Sequence, residues 1–379
     1  MPRRLILDLF AGAGGWDEGL RRLGHEALGI ELDPTACESA EAAGHERLRA
    51  DLAALDPAEL APVWGLIASP PCQAWSSAGT GAGRLDRRQV IACARELAAG
   101  RDTRERRSRR CRASGSLLTV EPLRWALALR PRWLAFEQVP AVAELWRLFA
   151  GLLEPHGYRS ATGLLSAERY GVPQVRRRAF LVASLDGEVS LPAPTHRSYS
   201  PRRHHVPEAE AGLPEPVGTA RALGLPESGA LVTNRHGYGE RPWQGRRPLS
   251  APSFTILSSS YEWRIEGRPA PGADARRRRG SWAPAECRRS AESRRPATNA
   301  QTRRLPARSR RVRLAPEQAA VLQGFRHDHP FRGSRAARFL QIGNAVPPPL
   351  GAAVLAEAMR PSPRDPGRAA VPAGRGRRA

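Results

Sequence analysis

An apolar run, Leu5 to Phe10, passes directly into Ala11-Gly12-Ala13-Gly14-Gly15 and then into a segment whose apolar residues include Trp16, Leu20 and Leu23 at helical spacing. A buried strand, a glycine turn and a helix in that order form the opening half of a nucleotide-binding βαβ unit. Such a unit restricts the fold to parallel strands under covering helices. The alternation continues down the chain. Further strands are expected to end at GIELD, to lead into Asp51, and to run from Val63 to Ala68, with a helix after Pro34. A helix from Leu117 to Leu129, the strand RWLAFEQV, a helix from Ala141 to Leu153 and two strands around QVRRRAFLVAS follow. The pattern predicts an α/β fold with a mostly parallel, doubly wound sheet.

The alternation stops near Leu185. From Pro192 to about Arg313 the chain is rich in Pro, Gly, Ser and Arg, with isolated apolar runs such as Ser253 to Leu257. This stretch reads as a small irregular module or partly as a loop. Its later part, with Arg276 to Arg279 and Arg303 to Arg313, has the composition of a disordered segment. Helical spacing returns in LAPEQAAVLQGF, through Ala319, Leu322 and Phe325, and after Pro349, through Leu350 and Val354 to Met359. Arg101 to Arg112 reads as an exposed loop, and the tail beyond Pro361 as frayed. The pattern divides the chain into an ordered part over 1–190, an irregular region over 191–312, a second ordered segment over 313–360 and a disordered tail over 361–379.

The 60 basic residues are all arginine, and against 37 acids they give a formal charge of +23. A polyanionic partner such as nucleic acid fits that balance. Exclusive arginine alongside abundant Ala, Gly and Pro also fits the coding bias of a GC-rich genome, so charge alone decides nothing. Cys37, Cys72, Cys93, Cys111 and Cys287 form neither a CxxC pair nor a zinc spacing, so neither a metal nor a disulfide framework is expected. The apolar run in MPRRLILDLF is too short for a signal peptide, and no stretch reaches the roughly 18 to 20 apolar residues of a membrane span. A reducing, cytoplasmic setting without a membrane is the expectation.

Within this frame a few side chains point to chemistry. Gly12 and Gly14 allow a ligand to approach the backbone beside a helix N-terminus, although a tight structural turn needs the same residues. Glu31, about twenty residues further on, ends the second strand where a carboxylate can bond ribose hydroxyls. Asp51, ending the third, could accept from an adenine amino group. Each acid taken singly could equally be a solvated loop carboxylate. Cys72 follows a strand on the rigid turn Pro70-Pro71. An isolated cysteine is more often a small buried hydrophobe, but this one is placed like a nucleophile, near arginines that would lower its pKa. Glu137 leaves a strand at the same sheet edge and could hydrogen-bond a ring nitrogen, its bland alternative being a salt-bridged acid. Arg176 and Arg178 alternate on one strand face and suit a carbonyl oxygen or a phosphate, or else form a solvated basic edge.

Taken in order, DLFAGAGG, GIELD, ADL, SPPCQAWSSAG, FEQV, QVRRR, PEQAAVLQGF and QIGNAVPPP resemble the DNA (cytosine-5)-methyltransferases. The resemblance implies a Rossmann-like S-adenosylmethionine-dependent methyltransferase fold with a smaller inserted target-recognition domain, whose last helix packs beside the first strands. It implies S-adenosyl-L-methionine as methyl donor. Phe10 would stack on the donor's adenine, Gly12 and Gly14 would shape the methionine pocket, Glu31 would hold the ribose and Asp51 the adenine amino group, and Asn344 and Val346 would close the site. Cys72 would add to carbon 6 of a cytosine flipped out of double-stranded DNA. Glu137 would steady ring nitrogen 3, and Arg176 and Arg178 would anchor the base, with Gln174 supporting them. A monomer is expected, with a cognate restriction endonuclease as a cellular counterpart that makes no direct contact, in a bacterial or phage setting. The chain departs from the family in Gln138, where Asn is usual, in Trp75, where Phe is common, and in the arginine-rich run from Gly267 to Arg313. Two alternatives accompany this reading: a catalytically impaired DNA-binding relative, and a methyltransferase acting on transfer RNA.

Overall fold

The computed structural model describes residues 4–60, 62–75, 81–201, 207–236, 243–267 and 310–360. The arginine run at 276–279, Cys287 and the tail beyond Pro361 lie outside the described residues. The larger sheet contains β1 (Ile6–Leu9), β2 (Leu28–Glu31), β3 (Glu46–Arg49), β4 (Gly65–Ala68), β5 (Trp133–Gln138), β6 (Arg159–Ser166) and β7 (Arg177–Ser184) in the order β3-β2-β1-β4-β5-β7-β6. From β3 to β5 every neighbour is parallel, whereas β7 runs antiparallel to both β5 and β6. The reversal follows from the connection. β6 and β7 are joined by a short turn with no crossover helix, and only antiparallel strands can be linked that way.

Apolar residues on successive positions of the central strands enter two different cores. Leu7, Leu9, Leu66, Leu134 and Phe136 face one layer with Trp125, Trp146 and Phe149. Ile6, Ile67, Trp133 and Ala135 face the other with Trp16, Leu350 and Val354. Strands buried on both faces explain why the sequence shows continuous apolar runs there instead of alternation. The covering helices include α1 (Gly15–Arg21), α2 (Pro34–Ala42), α3 (Ala82–Ala98), α4 (Arg104–Ser108), α5 (Glu121–Leu129) and α6 (Ala143–Leu153). Neither α3 nor α4 is anticipated by the sequence patterns. Residues 101–112 are exposed in large part, as their composition suggests, but Arg104–Ser108 is helical, and Arg104 bonds Glu121 at 2.6 Å and Arg107 bonds Glu96 at 2.7 Å, which holds the segment against α3 and α5.

The region expected to be irregular holds α7 (Thr219–Leu223) and a second sheet of β8 (Gly229–His236), β9 (Trp243–Pro248), β10 (Arg264–Gly267) and β11 (Arg310–Arg313), in the order β11-β10-β8-β9. Arg310–Arg313 is therefore a paired strand, against its disorder-like composition. Beyond it come α8 (Pro316–Gln323), α9 (Arg335–Asn344) and α10 (Pro348–Ala358). The returning segment is shared between the two units. Ala319, Leu322, Phe339 and Ile342 of α8 and α9 pack with Leu231, Ile256 and Trp263 of the smaller unit, while Leu350, Val354 and Leu355 of α10 join the larger core. At the seam, a Cβ on Gly15 would lie 2.5 Å from the Val346 carbonyl oxygen, so only glycine lets the first helix and the returning chain approach this closely. The stretch Arg335–Ala358 has the length and hydropathy of a membrane span, but it breaks between α9 and α10 and its large apolar side chains fill the cores.

Candidate active site

The C-terminal ends of the parallel strands open onto a cavity of about 530 Å³. Its wall takes in all of the sequence-predicted site residues except one: Phe10, Gly12, Glu31, Asp51, Cys72, Glu137, Arg176, Arg178, Asn344 and Val346. Gly14 stands one step behind the wall. It caps α1 at φ 104°, and a Cβ on it would lie 2.8 Å from Cδ2 of His45.

One end of the cavity is built from the first strands. Phe10 leaves β1 at φ 60°, a left-handed conformation rarely taken by a bulky residue and characteristic of functional turns. Glu31 is fixed by its own neighbourhood: Oε2 accepts from the Gly12 amide at 2.8 Å, and Oε1 accepts from the amides of Leu32 and Asp33 at 2.8 and 2.9 Å. Oε2 keeps a free lone pair. Asp51 folds its loop with Oδ1, which accepts from the Ala53 amide at 3.0 Å.

The other end gathers the reactive groups. Glu137 and Arg178 form an ion pair, Oε1 to Nε, at 3.1 Å, with both side chains largely buried. Arg176 is 1% exposed and donates to three carbonyls, Ile256 at 3.3 Å, Gly343 at 2.8 Å and Ala345 at 3.3 Å. It thereby ties β7 to the smaller unit and to α9. Its buried Nε has no hydrogen-bond partner among the described residues. Burial, with the Arg178 charge beside it, pushes the Arg176 pKa down. Cys72 departs from the sequence expectation. Burial raises its thiol pKa, the Glu137 carboxylate adds to that, and the two arginines oppose the rise without overcoming it. Desolvation disfavours the thiolate more than two partly engaged guanidiniums favour it.

Over residues 5–360 the sequence matches the family model for C-5 cytosine-specific DNA methylase. This chain belongs to that family. Among its relatives, the Type II methyltransferase M1.HphI of Haemophilus parahaemolyticus is 28% identical over 374 residues, with 92% of this chain and 84% of that protein covered. The Type II methyltransferase M.AplI of Arthrospira platensis is 26% identical over 365 residues, with the same coverage, 92% and 84%. The S. pombe Dnmt2 methyltransferase shares the fold, with a TM-score of 0.53 at 13% identity, covering 93% of this chain and 97% of its own.

In this methylase Gln138, where Asn is usual, occupies a buried position. Its Nε2 donates to the Pro70 carbonyl and its Oε1 accepts from the Val139 amide at 2.6 Å, so the amide clasps the turn that presents Cys72. Trp75 is likewise accommodated, its Nε1 donating to Thr119 Oγ1 at 2.7 Å. Gln174 also lies behind the wall. It accepts from the Ile256 amide at 2.8 Å and donates to the Leu322 carbonyl at 3.2 Å, joining β7 to the smaller unit and to α8.

Several contributors are missing from the sequence reading. Trp16 reads as a core residue, yet it lines the cavity and donates Nε1 to Ser69 Oγ at 2.9 Å. His329 Nε2 lies 3.0 Å from the Ala13 carbonyl, and its Nδ1 lies 3.5 Å from Glu18, which also meets His45 at 3.2 Å. Burial pushes the Glu18 pKa up, but hydrogen bonds from His329 and His45 and the Arg21 charge hold it well below the usual carboxylate range. This cluster pins the glycine turn from behind. No local pattern marks it, because its members are separated by up to hundreds of residues. Among the described residues no group of three His, Cys, Asp or Glu side chains could hold a metal ion.

Proposed function

We propose that the protein transfers a methyl group from S-adenosyl-L-methionine to carbon 5 of a cytosine flipped out of a specific double-stranded DNA sequence, through a transient Cys72 adduct. One observation carries the reading: a strand-end thiol, a carboxylate and two guanidiniums converge at one end of a cavity whose other end is lined by Phe10, Glu31 and Asp51. The donor fits these residues. The volume and the mostly apolar wall suit a small molecule, Phe10 offers a ring, Glu31 offers a free acceptor lone pair at a fixed orientation, and Asn344 and Val346 come from the returning segment to close the site. When bound, the donor supplies an electrophilic methyl group.

The residues divide the remaining work. Cys72 gives up its proton to solvent and its thiolate adds to carbon 6, breaking the double bond between carbons 5 and 6 and placing its electron pair on carbon 5. A proton shared between Glu137 and ring nitrogen 3 bridges the two as the thiolate adds, and Arg178, already paired with Glu137, steadies that carboxyl group and faces the base. Arg176 lines the cavity beside the base, and its three carbonyl bonds hold the two units in register around it. After methylation, loss of the carbon 5 proton and expulsion of Cys72 restore the ring. The cost of extruding the base, about a few kcal/mol, falls on contacts with the duplex. We assign those contacts to the inserted region 191–312, with 1–190 and 313–360 as the catalytic parts around it. The Gln138 clasp supports an active site over an impaired one. A cytoplasmic monomer of the Type II kind, with an endonuclease counterpart acting separately, completes the proposal. Incubation with methyl-labelled donor and duplex DNA should place label on cytosine, and Cys72→Ser should abolish it; label on adenine, or label that survives in the variant, overturns the mechanism.

A further inference from the structure

The loop after β3 carries Asp51 and Leu52 into the cavity wall, and its backbone is braced from outside by two arginines. Arg124 donates Nη2 to the Leu52 carbonyl at 2.7 Å and Nη1 to the Leu55 carbonyl at 3.1 Å. Arg104 donates Nη1 to the Ala53 carbonyl at 3.1 Å. A single carboxylate orients both. Glu121, 2% exposed, accepts from Arg104 Nη1 with Oε1 at 2.6 Å and from Arg124 Nε with Oε2 at 2.7 Å. On the inner side Asp51 closes the loop, its Oδ1 and carbonyl accepting from the amides of Ala53 and Ala54, each at 3.0 Å.

A loop without regular secondary structure leaves its carbonyls to water or to side chains. Here guanidiniums take the carbonyls of Leu52, Ala53 and Leu55, and the one buried charge that bonds both of them is Glu121, with Asp102 Oδ2 a second partner of Arg104 at 2.8 Å. Neutralising Glu121 would leave Arg124 without an ion-pair partner among the described residues and Arg104 with Asp102 alone, whose side chain is half exposed, a costly change for two partly buried cations. The loop would relax, and Asp51 and Leu52 would leave their places in the wall. Cys72 would not follow, because its turn is held separately by Gln138. Arg104 comes from the arginine-rich segment at 101–112, so that segment has a specific task at the cavity.

We infer that Glu121, acting through Arg104 and Arg124, is a positioning residue for the part of the cavity wall that receives the donor's adenosine end. The inference rests on the donor assignment made above. It is tested by calorimetry of S-adenosylhomocysteine with the full chain, alongside steady-state kinetics and amide hydrogen exchange. Glu121→Gln should bind about tenfold more weakly, the loss expected when a charged hydrogen-bond partner is removed, with a matching rise in donor KM and kcat within about twofold. The Ala53 and Ala54 amides should exchange faster. Arg107→Ala, in the same segment but bonded to Glu96 and Gln89, should bind as the wild type does. Should Glu121→Gln fail to fold, Arg104→Gln removes one brace and should weaken binding about threefold. Unchanged affinity in a folded variant, equal weakening in Arg107→Ala, or a fall in kcat with donor KM unmoved overturns the inference while leaving the donor assignment intact. A wild-type protein that does not bind S-adenosylhomocysteine overturns both.

Discussion

Replacing Gln138 isolates the support of the nucleophile from the binding of the donor. The side chain is 2% exposed and bridges two backbone groups, the Pro70 carbonyl and the Val139 amide. Gln138→Ala leaves both without a partner in a place water does not readily reach. An unpaired buried group costs about 1–3 kcal/mol, so the turn that presents Cys72 should lose about 2 kcal/mol of its preference for the observed conformation. A shift of that size lowers the competent fraction by up to about 30-fold. Gln138→Asn is shorter by one carbon–carbon bond, about 1.5 Å, and cannot reach both groups at once, so it should fall between the two. Single-turnover methyl transfer on duplex DNA should therefore slow by about 10- to 30-fold in Gln138→Ala, while S-adenosylhomocysteine affinity stays at the wild-type value. A variant that transfers methyl at the wild-type rate, or that slows only because donor binding is lost, would refute the reasoning.

Two other expectations follow from the same geometry. Burial raises the Cys72 pKa, so the thiol is the resting form at neutral pH and the thiolate becomes available only as pH rises through and beyond the ordinary thiol range; the single-turnover rate should climb with pH above 7, and a flat profile there would contradict it. Gly14→Ala places a side chain at φ 104° and against His45, with a cost of about 1–3 kcal/mol, which thermal unfolding should register as a drop of several degrees.

The parallel half of the fold was legible because strands buried on both faces leave continuous apolar runs, and because Gly12, Glu31 and Asp51 sit where such strands must end. The antiparallel pairing of β7 could have been inferred from the short link between Ser166 and Arg177, but motif order alone does not reveal strand direction. α3 and α4 were hidden by arginine. A helix such as Ala82–Ala98 carries few large apolar residues, and in α4 the partners that neutralise Arg104 and Arg107 lie on other helices. Composition likewise misled at Arg310–Arg313, where pairing with β10 overrides a charge run. The candidate site was legible residue by residue, since each motif ends a strand or opens a turn at one sheet edge. Its electrostatics were not. Whether nearby arginines lower a thiol pKa depends on how deeply the thiol is buried, and Cys72 packs against a core whose members, such as Leu134 and Phe136, are distant in sequence.

The central claim is that Cys72 bonds to a cytosine. Duplex DNA carrying 5-fluorocytosine at many sites blocks the loss of the carbon 5 substituent after methyl transfer, so an adduct formed by this route cannot resolve. Incubated with such DNA and S-adenosylmethionine, the wild-type protein should yield a denaturation-resistant complex whose cross-linked peptide contains Cys72, and Cys72→Ser should yield none. A cross-link at another residue, or methyl transfer to ordinary DNA with no adduct on the fluorinated duplex, would contradict the account.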